Sequence, residues 1–293
     1  MSLGKGQILR YLPFVFLAYD SRLFFPIFIA LMKTISSRQN PLIKDLHLLA
    51  TSAQERRKQA KTVLDGVHLV QAALEQGVPL GLVCVSEHGY QSAEISALIG
   101  VLEPLASCYC LPDTVFSHIS PTDTPAGILA VINMPPETIA KTPIASCVVL
   151  DGVQDVGNLG TILRTAAASG IEDILLTAGC AQAWSPRVLR AAMGAHFRLR
   201  IQEKVNLPQL LADFSGVILA TGVKDAKAIY DVDLTQPVAW LFGSEGAGIS
   251  AETAALAQQI VMIPMAGGTE SLNVAAAAAV CLFEERRQKS FLP

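Results

Sequence analysis

The second half of this chain repeats one pattern: a short apolar run with no polar alternation, then a stretch with helical spacing. The apolar runs are Cys147 to Leu150, Asp173 to Thr177, Val217 to Thr221, Val238 to Phe242 and Ile260 to Ile263. Helical spacing covers Leu159 to Ser169, Val188 to Met193, Leu207 to Phe214, Ala251 to Gln258 and Leu272 to Lys289. A strand open to water on one face alternates apolar and polar residues, whereas a strand without alternation is covered on both faces. Such strands separated by helices predict an α/β fold with a mostly parallel sheet and helices on both sides. No internal repeat is visible.

The first half reads as a smaller α/β/α unit. Pro41 to Lys58 has helical spacing, with Leu42, Leu46, Leu49 and Ala53 on one face. Val67 to Gln76 is a second predicted helix, stopped by Gly77, and Ala93 to Leu102 a third. Strands are expected over Leu80 to Ser86, Cys108 to Leu111 and Gly127 to Asn133. Met134 to Pro143 has three prolines and no apolar periodicity, which reads as a linker. The expected division is therefore an extension over 1–31, a first domain over 32–134, a linker over 135–144 and a second domain over 145–293.

A hydrophobic content of 51% and a net charge of −3 in 293 residues exclude a disordered chain and give no global sign of nucleic-acid binding. Any basic footprint has to be local. Lys33 to Lys61 holds seven basic residues against two acids, and Trp184 to Lys204 holds five against one. Both stretches are candidate RNA contacts, with a solvated helix face as the other reading of the first. Trp184 is read as a packing residue, with base stacking as the alternative. The six cysteines form no C-x-x-C pair and have no histidine cluster near them, so free thiols in a reducing cytoplasm and no metal are expected. In the first 31 residues the apolar runs Leu12 to Tyr19 and Leu23 to Met32 fall short of the roughly 20 residues that span a bilayer. That segment is read as a non-native or upstream extension, with a membrane-surface anchor as the alternative.

Three segments could carry chemistry. Asp151 to Ala166 leads from a strand into a helix, with Asn158 expected as the helix N-cap and Arg164 on the second turn. Arg164 could reach a phosphate or polarise a hydroxyl, or merely extend to the surface. The glycines here do not make a dinucleotide fingerprint. In Val238 to Ser250 a strand ends at Gly243, and Gly243, Gly246 and Gly248 surround Glu245. Glycine there allows close backbone approach; an ordinary turn capped by Ser250 is the other reading. The third segment, Ile260 to Val274, runs from strand through loop to helix, and Ala275 to Ala279 follow it. A loop between a strand end and a helix start is suited to holding a small ligand on backbone groups.

Taken in order, N-x-G-x-x-x-R (Asn158, Gly160, Arg164), F-G-S-E-G-x-G (Phe242 to Gly248) and I-P-M-x-G-x-x-x-S-L-N-V (Ile263 to Val274) resemble the three motifs of the SpoU, or TrmH-like, branch of the SPOUT RNA methyltransferases. Ser37 to about Met134 is similar to the small ribosomal-protein-like RNA-binding domain that precedes the catalytic domain in many members. The resemblance implies a C-terminal deep trefoil α/β-knot, a homodimer through that knot, and S-adenosyl-L-methionine as cofactor. It implies a cofactor cradle of Thr221, Gly222, Gly243, Ile263, Met265 and Leu272. It implies methyl transfer to a ribose 2′-hydroxyl of RNA, with Arg164, Asn158, Glu245, Ser271 and Asn273 as the catalytic set. An N-terminal RNA-binding domain resembles the rRNA-modifying members, so rRNA is expected, with tRNA as the alternative. Two other readings are a knotted RNA-binding module without activity and a nucleotide-dependent oxidoreductase; the missing dinucleotide fingerprint opposes the latter. The run of alanine after Val274 departs from the family pattern, in which a hydroxyl residue is expected.

Overall fold

The structure is a computed structural model that describes residues 32–136, 141–267 and 271–290. The expected extension over 1–31, part of the expected linker (137–140) and residues 268–270 of the third motif lie outside the described residues. Two compact units are present. The first runs to Pro135 and takes in Trp184–Arg190; the second comprises Pro136–Ala183 and Ala191–Pro293.

The first unit contains β1 (Lys33–Thr34), α1 (Pro41–Thr51), α2 (Ala53–Gln59), β2 (Lys61–Asp65), α3 (Val67–Glu75), β3 (Leu80–Ser86), α4 (Ala93–Leu102), β4 (Ser107–Leu111), α5 (Asp113–Ile119) and β5 (Ile128–Asn133). Its sheet has the order β1-β4-β3-β5-β2. Strands β1, β4 and β3 are parallel, and β5 runs antiparallel to both β3 and β2. Ile43, Leu46 and Leu49 of α1 join Phe116 and Ile119 of α5 in one core with Val63, Cys84 and Leu129 of the sheet.

Several expectations change here. The single helix over Pro41 to Lys58 is two helices. Ser52 leaves helical backbone (φ −107°, ψ 115°), and its Oγ accepts from the Glu55 N–H at 3.3 Å. A serine that can cap a new helix competes with continuation of the old one. The basic run leads into a strand, β2, which begins at Lys61 and whose Thr62–Asp65 are buried. Arg56 is buried rather than surface-lying and donates to the Leu49 carbonyl at 2.9 Å. Trp184 is buried, and the Thr62 hydroxyl donates to its carbonyl at 2.8 Å, which favours the packing reading. Arg190 is likewise engaged, meeting Asp65 at 3.0 Å.

The second unit contains β6 (Cys147–Asp151), α6 (Val156–Ser169), β7 (Asp173–Leu176), the last residues of α7 (Pro186–Ala192, of which Pro186–Arg190 belong to the first unit), β8 (Arg200–Glu203), α8 (Leu207–Leu211), β9 (Val217–Thr221), β10 (Lys227–Ala228), β11 (Val238–Gly243), α9 (Ala251–Ala254), β12 (Gln259–Met262) and α10 (Val274–Ser290). Every pairing in its seven-stranded sheet is parallel, in the order β10-β12-β9-β11-β6-β7-β8. Helix α8 covers one face through Leu207, Leu210 and Leu211, packed with Val149, Leu175 and Leu241. Helix α6 packs along α10. In α10 the buried Glu285 accepts from Trp240 Nε1 at 2.5 Å, from Lys289 Nζ at 2.6 Å and from the Ser146 hydroxyl, so the carboxylate is fully hydrogen-bonded.

From β6 the chain proceeds outward through β7 and β8, then returns to build β9, β11 and β12 on the other side. The reversal falls between β6 and β11. In open parallel sheets the crevice outside the carboxyl ends at such a reversal is where ligands bind.

Candidate active site

One residue from each of the three motifs meets the others at that crevice. Asp151 ends β6, Gly243 ends β11, and the two are paired across the sheet. Next to β11 lies β9, ending at Thr221, and next to β9 lies β12, after which come Ile263 and Met265. Thr221, Gly222, Gly243, Ile263 and Met265 therefore stand along one edge on three adjacent strands.

The first motif begins differently from its sequence reading. Asp155, not Asn158, is the N-cap of α6: its Oδ1 accepts from the Asn158 N–H at 2.7 Å. A carboxylate caps well because it meets both the free N–H groups and the positive helix end. Asn158 lies within the first turn, its side chain free of capping. Its Nδ2 donates to Glu245 Oε1, and its Oδ1 accepts from Asn273 Nδ2 at 2.9 Å. Asn273 in turn accepts from the N–H groups of Ala275 at 2.9 Å and Ala276 at 3.3 Å, so it caps α10. One residue from each motif thus joins a single hydrogen-bonded chain, Glu245–Asn158–Asn273. That chain fixes which end of each amide faces outward, since an amide that both donates and accepts cannot flip without losing both bonds.

Arg164 is not part of the chain. It lies six residues beyond Asn158, about 9 Å along the helix axis. It is exposed and has no hydrogen bond or ion pair among the described residues. Ser271 is also exposed.

The glycines do specific work. A Cβ at Gly160 would lie 2.3 Å from Ala191 Cβ, so this motif glycine serves packing between α6 and the end of α7. A Cβ at Gly243 would lie 2.1 Å from the carbonyl carbon of Gly248. The close neighbour of Gly243 is therefore its own loop. Ser244 and Gly248 exchange backbone hydrogen bonds of 3.1 and 2.9 Å, and Ser244 Oγ accepts from Ala247 at 3.2 Å, which folds residues 244–248 into a tight turn with Glu245 inside it. Ser250 caps α9, as the sequence suggested, by accepting from the Thr253 N–H at 3.2 Å.

Sequence reading gave no role to Asp151 or Thr177. Asp151 Oδ2 accepts from the Ser250 N–H at 2.9 Å and Oδ1 from the Thr177 hydroxyl at 3.1 Å. Partial burial opposes the charge of Asp151, but the bonds from Ser250, Thr253 and Thr177 outweigh it and hold the carboxyl below the usual carboxylate range. The available signal was a polar residue closing an apolar strand at the carboxyl edge, a position both residues occupy.

The edge suits a large ligand with an apolar portion and polar edges. Ile263 and Met265 are half-buried, Leu272 is 40% exposed, and Gly222 is exposed beside them. A cavity of about 300 Å³ at the other edge of the sheet, lined by Ser146, Arg200, Glu285 and Lys289 among others, contains no motif residue. Its charges already pair with each other: Lys289 with Glu285, and Arg200 with Asp173 and Glu172. Of the basic stretch Trp184 to Lys204, Arg187, Arg198, Arg200 and Lys204 are exposed, and Arg200 is engaged by Asp173 and Glu172.

Residues 145–283 match the SpoU rRNA Methylase family, and residues 40–130 match the MRM3-like substrate binding domain. The chain is 38% identical over 260 residues to an uncharacterized tRNA/rRNA methyltransferase of Synechocystis sp., covering 87% of this chain and 94% of that protein. It is 33% identical over 258 residues to the 23S rRNA (guanosine(2553)-2′-O)-methyltransferase RlmP of Bacillus subtilis, covering 87% of this chain and all (100%) of the relative. Among solved structures, an AdoMet-bound rRNA methyltransferase from Sinorhizobium meliloti superposes with a TM-score of 0.75 at 28% identity, covering 89% of this chain and 99% of that one.

Proposed function

This chain belongs to the SpoU rRNA methylase family, and we propose from that premise that it transfers a methyl group from S-adenosyl-L-methionine to a ribose 2′-hydroxyl of ribosomal RNA. The observation that best supports the reading is the Glu245–Asn158–Asn273 chain at the carboxyl edge of the parallel sheet. It gathers three polar side chains from distant parts of the sequence, beside apolar surface open to a ligand.

A ribose hydroxyl is a poor nucleophile at neutral pH, so the site has to stabilise charge growing on its oxygen. Arg164 is the cation for that purpose, since no carboxylate among the described residues neutralises it. Its guanidinium holds the neighbouring phosphate and faces the developing negative oxygen. Asn158, Ser271 and Asn273 position the ribose, and Glu245 fixes the orientation of Asn158. Thr221, Gly222, Gly243, Ile263, Met265 and Leu272 hold the cofactor, largely through backbone groups and apolar contact. The cofactor, when bound, supplies an electrophilic methyl on a sulfonium whose charge vanishes on transfer. Ile263, Met265 and Leu272 keep that volume dry, which favours loss of charge.

Two further parts of the reading are the deep trefoil knot and a homodimer formed through it. The parallel sheet and the family membership support them. RNA contact is assigned to the unit matching the substrate binding domain and to the exposed Arg187, Arg198 and Lys204. A cytoplasmic location is the matching expectation for a protein that acts on rRNA. Mapping of 2′-O-methyl positions in total RNA from cells with and without the protein tests the activity. One ribose that loses its methyl group in the absence of the protein is expected. An unchanged map, together with no transfer from labelled cofactor to ribosomal RNA by purified protein, would overturn the reading. Cofactor binding without transfer would instead indicate a binding module.

A further inference from the structure

The turn carrying Glu245 is secured mostly to itself. Residues 244–248 bond to one another, and a side chain at Gly246 would have no neighbour within 4 Å, so the tip stands open. What ties the far end of this loop to the sheet is the carboxylate of Asp151. One oxygen takes the Ser250 N–H at 2.9 Å; the other takes the Thr177 hydroxyl at 3.1 Å, and the same hydroxyl accepts from the Gly152 N–H at 3.1 Å. Asp151 and Gly243 are cross-strand partners, so the loop leaves β11 beside Asp151 and comes back to it at Ser250. The span from Gly243 to Ser250 is thus closed on one residue, whose backbone pairs at the Gly243 end and whose side chain holds the Ser250 end. The chain Glu245–Asn158–Asn273 hangs from this closed loop.

We propose that Asp151 is a positioning residue for methyl transfer: by tying the Ser250 end of the loop to the end of β7, beside the strand end from which the loop departs, its carboxylate sets Glu245 at the place where it orients Asn158. This rests on the methyltransferase reading above. Asp151 touches neither of the reacting groups. It acts through Glu245, so the two should not contribute independently. Its carboxylate form matters because both oxygens accept. Replacement by asparagine turns one acceptor into a donor facing either the Ser250 N–H or the Thr177 hydroxyl. A donor facing the Ser250 N–H releases the loop; a misplacement of about 1 Å can cost about 10²-fold in rate.

The test is single-turnover methylation of ribosomal RNA by wild type, Asp151→Asn, Glu245→Gln and the double variant, with cofactor binding and thermal unfolding measured on each. Expected is a fall of about 10- to 100-fold in the transfer rate for Asp151→Asn. The double variant should be no slower than the slower single variant, because residues acting as one unit are not additive. A merely structural Asp151 would lower thermal stability and multiply with Glu245→Gln. If Asp151→Asn does not fold, Ser250→Pro is compared with Ser250→Ala. Both lose the hydroxyl cap, only proline lacks the N–H, and Ser250 has φ −62°, which a proline ring accepts. The proline variant should then be the slower by a similar factor. A wild-type rate for Asp151→Asn, full additivity with Glu245→Gln, or equal rates for the two Ser250 variants overturns the proposal while wild type remains active. An inactive wild type overturns the underlying reading itself.

Discussion

Arg164 is the residue on which the proposed chemistry turns, and its surroundings make it testable. An exposed arginine with no partner among the described residues does little for stability, so removing it should leave the fold intact. Arg164→Ala is expected to lower single-turnover transfer by about 10²–10³-fold, the usual loss when one charge-stabilising donor is removed. Calorimetric cofactor affinity should be unchanged; a normal transfer rate would remove Arg164 from the mechanism. His196 illustrates the opposite condition. It is buried, its Nε2 bonds the Ala183 carbonyl at 2.8 Å, and burial pulls its pKa from 6.5 down to about 4, only partly offset by that bond. The folded state therefore favours the neutral ring. The resulting stability is complete above pH 6.5 and is lost as pH falls toward 4, by up to about 3 kcal/mol. Thermal melts across that window should show the loss, and His196→Gln should flatten it; a slope equal to wild type would mean that other groups dominate.

At the scale of elements, the strand-to-loop transition after β11 is the tightest constraint. A methyl group at Gly243 would meet the backbone of Gly248 and Ile249 at 2.1 to 2.3 Å, and backbone cannot swing aside as a flexible side chain can. Gly243→Ala should therefore displace the Glu245 loop, cost roughly 1–3 kcal/mol of stability, and weaken cofactor binding measured by calorimetry. Unchanged affinity would show that the cofactor does not depend on this turn. Helix α10 shows why a motif residue can serve two purposes. Asn273 caps the helix and also orients Asn158, so the start of α10 and the proposed ribose site share one side chain. The alanines that follow allow close packing: Ala275 and Ala278 are buried, and α6 lies against this helix.

For the molecule as a whole, the outward face of α10 matters most. Ala276 is exposed there, and so is Phe283, at 47%, which leaves apolar surface facing solvent in a single chain. If the proposed homodimer covers this face, Phe283→Glu should convert a dimer into a monomer in sedimentation equilibrium, because burying an unpaired charge is costly. A variant that stays dimeric would place the interface elsewhere, and a monomeric wild type would overturn the dimer.

The sequence by itself determined the fold class and named the polar residues proposed for the site. Uninterrupted apolar runs of four or five residues, too short for helices, read as buried strands, and five of them between helical patterns predict a covered parallel sheet. It did not show β2, because Lys61 and the basic residues before it disguised four buried positions. Nor did it show that Ser52 splits one helical pattern, since a capping serine and a tolerated interior serine look alike along the chain. Motif spacing could name Asn158, Glu245 and Asn273, but not join them: they are 87 and 115 residues from one another along the chain, and only strand order brings them together. The parallel sheet places successive strand ends on one edge, and its reversal between β6 and β11 opens the crevice there. That arrangement, which no local pattern encodes, turned Asn158 from an expected helix cap into the middle of a hydrogen-bonded chain and gave Asp151 a loop to hold.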